Sequence, residues 1–232
     1  MNLNAMKNIV HRSPAPAARA FTLIELLVVI SIIGVLAAFT VTTIGVVTRN
    51  KYISAARSDM ASIQTALERY KAQYGFYPPS NPTNLLVNPL FFELEGVTNV
   101  TVGGAASFVT LDGMNSVPVN TVSNLLGVAG FVNTSHGAGE DAVLAKNFLS
   151  DLKTKQVSTG YNGTALLVTS VGGPDNAYQP LGVLNCNPWR YNSANPTNNP
   201  GSYDLYVQLV IGGKTNLICN WSKAVAINNP LK

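Results

Sequence analysis

The 232-residue chain offers few side chains with which to do chemistry. Its only histidines are His11 and His136. His11 lies near the start, among polar and basic residues. His136 sits in "NTSHGAGED", ahead of Glu140 and Asp141, where a general base or a metal ligand is conceivable. One imidazole and two carboxylates in a Gly/Ser-flanked stretch fall short of a ligand set, and a solvated loop is the better reading. Cys186 and Cys219 are too few and too far apart for a paired-cysteine zinc site. A disulfide between them, if that region lies outside the cytoplasm, and two buried free thiols both fit the spacing. "VGGPDN" and "VIGGK" lack the spacing of a phosphate-binding loop and read as turns. The group that stands out is Glu25, a single carboxylate near the start of an apolar run. A carboxylate in such a place is costly, and usually has a partner and a function.

The elements that position Glu25 follow from the surrounding pattern. Charged residues make up 11% of the chain against a hydrophobic share of 47%, a balance that leans towards lipid. Lys7, Arg12 and Arg19 precede Phe21 with no acid among them, and the remainder is near neutral at 12 basic against 11 acidic residues. No Lys/Arg cluster is interleaved with aromatics, so the basic balance does not argue for nucleic acid. Residues Met1 to Ala20 read as a leader. From Leu26 to Thr48 there is no charge, and these 23 residues would rise about 35 Å as a helix, enough to span a bilayer with some tilt. The run is too long for an ordinary secretory signal, and the small residue, Ala20, precedes it. Gly34 and Gly45 within it allow close helix approach or local melting, or are ordinary membrane-helix glycines.

The helix is predicted to continue. Tyr52, Ala56, Met60, Ile63, Leu67, Tyr70 and Tyr74 recur every three or four residues, with Arg57, Asp59, Glu68, Arg69 and Lys71 on other faces. Gly75 and Pro78-Pro79 end it, so one helix is expected from about Phe21 to Tyr74. "ASFVTL", "TALLVTSV" and "YDLYVQLVI" predict strands, and "YNSANPTNNPGS" a loop. Leu144 to Leu152 is expected to form a short helix. The order of strands between Asn81 and Val157 cannot be assigned from pattern. The expected fold class is α+β, a long N-terminal helix whose amphipathic half packs on a small antiparallel sheet. The expected organisation is a leader over 1–20, a membrane or filament-core helix over 21–48, its amphipathic continuation over 49–75 and a globular lobe over 76–232.

"AFTLIELLVVISIIGVLAA" resembles the N-terminus of type IV pilin-like proteins. The resemblance implies that a prepilin peptidase cuts between Ala20 and Phe21 and methylates the new Phe21 amine. Glu25 then becomes the fifth residue of the mature chain, where the family carries its glutamate. Ala20 stands where the family usually has Gly; it is the next smallest residue, so processing is expected to persist. The implied partner of Glu25 is the Phe21 amine of a neighbouring subunit, which would fix the register of stacked helices. The alternative places Glu25 at the membrane surface, reaching water.

Towards the C-terminus, Tyr77-Pro78, Asn187-Pro188-Trp189, Tyr203-Asp204-Leu205-Tyr206 and Asn220-Trp221 resemble the type II secretion major pseudopilins. Asn81 to Gln179 is left uncovered. That resemblance implies a structural subunit rather than an enzyme: a homo-polymer with minor pseudopilins, served by the prepilin peptidase and an inner-membrane assembly platform. It implies a single-pass inner-membrane protein with a periplasmic lobe before assembly, and no nucleic-acid partner. The major pseudopilins carry a calcium-binding C-terminal loop, but "VQLVIGGKTNLICNWS" after Tyr206 holds no acid, leaving Asp204 as the only one nearby. No cofactor is therefore expected, and a Cys186–Cys219 disulfide could staple the loop instead. Two other readings remain: a type IV pilin for adhesion, motility or DNA uptake, and a membrane-anchored binding module or enzyme using the same anchor.

Overall fold

The computed structural model describes residues 21–137, 142–171 and 178–228, apart from the side chains of residues 39–44 and 102. The chain forms two compact units, one ending at Val46 and the other beginning at Val47. Helix α1 spans Leu23–Tyr74, close to the predicted bounds. It stops where Gly75 turns to a φ of +84° and donates its N–H to the carbonyl of Lys71 at 2.7 Å.

In the second unit, the predicted stripe of α1 faces the core. Ala56, Ile63, Leu67 and Tyr70 are buried, and Tyr52, Met60 and Tyr74 pack at the rim. Asp59 departs from its expected polar face and is buried. Its carboxylate accepts bonds from the Gln156 side chain at 2.9 Å and from the Ser170 N–H and hydroxyl at 2.9 and 2.6 Å. A buried carboxyl group is tolerated when its oxygens are taken up in this way.

The fold is α+β, a long N-terminal helix followed by antiparallel sheets. Among the described residues, β1 (Val97–Val102), β2 (Ala105–Thr110), β3 (Ser116–Pro118) and β4 (Thr134–Ser135) form one sheet in the order β3-β2-β1-β4. Its short β1–β4 pair is parallel. β5 (Val157–Tyr161) and β6 (Thr164–Leu167) make a hairpin. β7 (Arg190–Asn192), β8 (Asp204–Ile211), β9 (Lys214–Cys219) and β10 (Ser222–Ile227) form the second four-stranded sheet, in the order β10-β9-β8-β7. The Gly-Gly of "VIGGK" is the two-residue turn between β8 and β9, with φ of +58° and +71°, the sense that matches strand twist. Leu205, Val207 and Leu209 alternate along β8 towards the core. Each contributes roughly 1.5–3 kcal/mol of burial.

The segment between Asn81 and Val157 holds what the pattern could not order. Helix α2 (Leu90–Glu95) has all six residues buried. Glu93 within it accepts bonds from the Tyr70 hydroxyl at 2.9 Å and from the Val132 and Asn133 N–H groups at 2.9 and 3.1 Å. Asn133, also buried, accepts from Tyr74 at 2.8 Å and donates to the Lys146 carbonyl at 2.6 Å. The helix expected over Leu144 to Leu152 does not form. Its N–H groups go elsewhere: Phe148 to the Leu94 carbonyl at 2.8 Å, Lys146 to the Asn133 side chain at 2.9 Å and Leu149 to the Asn147 side chain at 2.6 Å. Those acceptors replace the i−4 carbonyls that a helix requires.

Candidate processing and assembly site

The start of α1 is organised by Thr22 and Glu25. The Glu25 carboxylate accepts the Thr22 N–H at 2.9 Å and the Thr22 hydroxyl at 2.7 Å, while the Glu25 N–H donates back to that hydroxyl at 3.3 Å. This is a capping box, in which two otherwise orphan donors at a helix start are satisfied reciprocally. Thr-x-x-Glu is its sequence signature, so "TLIE" carries the signal for this cap beside the signal for the family motif. The acid also lies at the positive end of the helix dipole.

From this cap the helix is apolar all round and fully outward-facing. Phe21 is 77% exposed, and Leu23, Ile24, Leu26, Leu27, Val28, Val29, Ile30, Ile32 and Ile33 are exposed with it. Such a surface is stable only against lipid or other helices. Nothing approaches within 4 Å of where a Cβ on Gly34 or Gly45 would sit. Ser31 turns its hydroxyl inward to the Leu27 carbonyl at 2.7 Å, hiding its polarity. Among the described residues, no helix is long and apolar enough to cross a membrane. The expected span, Leu26 to Thr48, includes the residues 39–44 whose side chains are not described. The leader with Ala20, the first partner of the expected cut, lies outside the described residues.

The C-terminal residues singled out from sequence come together in the second four-stranded sheet and its flanks. Trp189, Tyr191, Tyr203 and Leu205 are buried, and Pro188 bridges to Val168. Tyr206 meets Trp221 edge-on, ring centres 5.2 Å apart. Tyr77 packs edge-on against Tyr203 at 4.7 Å, and the Pro78 carbonyl accepts the Tyr191 hydroxyl at 2.9 Å. Asp204 is buried, and its carboxylate accepts the N–H groups of Thr197, Asn198 and Asn199, each at 2.9 Å, and the Asn198 side-chain amide at 3.0 Å. Asn220 closes the same loop, accepting from the Leu205 N–H at 3.0 Å and donating to the Tyr203 carbonyl at 2.9 Å. The carboxylate thus holds the loop "NPTNNPGS" through donors alone.

Cys186 and Cys219 are buried free thiols in this structure, with no disulfide between them. Cys219 ends β9 opposite Tyr206 on one side and Ser222 on the other. Burial pushes both thiols above their ordinary range, partly offset at Cys186 by a bond to Ser158 and at Cys219 by the Trp221 and Ser222 N–H groups. His136 is exposed, its Nδ1 3.0 Å from the Thr134 carbonyl, while Glu140 and Asp141 lie outside the described residues. Among the described residues, no three of His, Cys, Asp and Glu are grouped to hold a metal.

Comparison with known proteins places one family feature on the chain: residues 16–41 match the prokaryotic N-terminal methylation motif. No curated protein and no solved structure matches. That match covers the capping box, the apolar start of α1 and the Ala20–Phe21 junction. The chain therefore carries, over residues 16–41, a prepilin-type signal of the kind that type IV pilins and pseudopilins share.

Proposed function

We propose that this protein is a structural subunit of a type II secretion pseudopilus, cut between Ala20 and Phe21, methylated on Phe21 and polymerised through α1. The observation that carries the reading is the bare apolar helix start beginning at Phe21, inside the stretch that matches the methylation motif. Before assembly, residues 26–48 would lie in the inner membrane with the second unit in the periplasm. On assembly, Glu25 exchanges its Thr22 donors for the methylated amine of a neighbouring Phe21, and the helix surfaces bury one another. The likeness of the C-terminal residues to the major pseudopilin pattern favours secretion over a surface pilus.

The test is the intact mass and N-terminal sequence of the protein from membranes, with and without a co-expressed prepilin peptidase. A chain starting at methylated Phe21 is expected only with the peptidase. A chain still starting at Met1 would make the segment a plain anchor and favour the membrane-anchored module. Deletion of the gene then separates the filament roles: loss of exoprotein release marks a pseudopilus, loss of surface fibres a type IV pilus.

A further inference from the structure

The corner where α2 meets the first sheet carries a carboxylate that its surroundings do not satisfy. Glu95, the last residue of α2, is 4% exposed. Its Oε1 accepts the Asn147 side-chain amide at 2.6 Å, while Oε2 is buried with no hydrogen-bond partner. A buried, half-satisfied carboxylate is rare in a native structure, and an unplaced ion is one of its ordinary explanations.

The backbone brings a second acid to the same corner. The β1–β2 ladder ends at the Val97–Thr110 pair, and one step further the Leu111 N–H still donates to the Gly96 carbonyl at 3.1 Å. Beyond that bond the ladder ends: Glu95 closes α2 and Asp112 lies in the turn after β2, close enough for its charge to bear on Glu95. Two like charges brought this near, one of them buried, destabilise one another unless a counter-charge lies between them. Asp112 is exposed at the rim, and its Oδ1 takes both of its bonds, from the Thr110 hydroxyl and the Met114 N–H, which leaves Oδ2 for another group. The Lys146 carbonyl lies 2.9 Å from where a Cβ on Gly96 would sit, so a neutral oxygen borders the same corner. Among the described residues, no salt bridge supplies either acid with a cationic side chain. Two carboxylate oxygens, a carbonyl and access for water from the Asp112 side are what a hard divalent cation takes.

We propose that Glu95 and Asp112 bind a divalent cation, with Glu95 Oε2 as the inner ligand, Asp112 Oδ2 as the outer one and water completing the shell. This site lies outside the C-terminal loop and does not depend on the assembly reading. The test is thermal unfolding of the full chain in detergent at pH 8, in excess chelator and then in millimolar calcium, for the native protein, Glu95→Gln and Asp112→Asn. Calcium well above its dissociation constant is expected to raise the midpoint by about 5–10 °C in the native protein. Both variants should fold and show no calcium response. A calcium shift absent from the native protein, or retained in either variant, overturns the proposal. So does stability that simply rises as pH falls through about 7 and ignores calcium. That would mean a proton occupies Glu95, whose carboxyl burial and Asp112 push up to about 7.

Discussion

At the scale of single residues, Glu25 closes the capping box with Thr22 in the single chain; the proposed assembly would give the same carboxylate a second use, opposite the Phe21 amine of a neighbouring subunit. Glu25→Gln keeps an acceptor for the cap but removes the charge, so membrane level and cleavage should persist while sheared filaments fall to background. Filament yield equal to the native protein would sink the pairing. Asp204 answers to a different measurement. Its carboxylate takes four N–H groups, and Asp204→Ala strands those donors in a half-buried loop. The expected loss is roughly 2–4 kcal/mol in chemical denaturation. Tyr70→Phe removes one of the three donors on buried Glu93 and should cost roughly 1–3 kcal/mol in the same assay.

At the scale of elements, β9 and the turn before β7 each bury a thiol among hydrophobic neighbours. The folded state keeps both thiols protonated to higher pH than the unfolded chain, because burial opposes the thiolate. Their contribution to stability is therefore whole below the ordinary thiol value of about 8.5 and lost as pH rises through the folded values. Tyr203 adds to this, since burial and the charge of Glu68 push its phenol up to about 12. Denaturation midpoints should decline from about pH 8.5 towards pH 10.5. In the native state both thiols should react slowly with a disulfide reagent, and both should react fast after unfolding. A reduction-dependent mass, or no reactive thiol in the unfolded chain before reduction, would instead point to a bonded pair. The helix surface is subject to the same logic of burial. α1 is apolar on every side up to Leu36 but amphipathic from Tyr52 onward, so only the first part needs partners outside the chain.

At the scale of the whole molecule, the parts that were legible are those whose determinants are local. The prepilin-type stretch, the long helix and its stop at Gly75 all rest on residues within a turn or two of each other. So do the strands around "ASFVTL", "TALLVTSV" and "YDLYVQLVI" and the Gly-Gly hairpin. The α+β class follows from an apolar stripe at helical spacing followed by β-branched runs. What only the tertiary structure decided lies between Asn81 and Val157. "LFFELE" is too short to declare itself a helix, and it is buried on every side only because α1, β6 and the first sheet surround it. "LAKNFLSDL" looks helical in isolation and is not, because Asn133, Asn147 and the Leu94 carbonyl compete for its N–H groups. Asp59 belongs by spacing to a polar face of α1, yet it is buried, and so are Glu93 and Glu95 in the stretch that pattern could not order. The sequence by itself determined the periodic elements and the N-terminal signal, since spacing alone selects one face or one turn. The tertiary structure decided which polar groups lie inside, because burial of a charge depends on donors that arrive from residues far away in the chain.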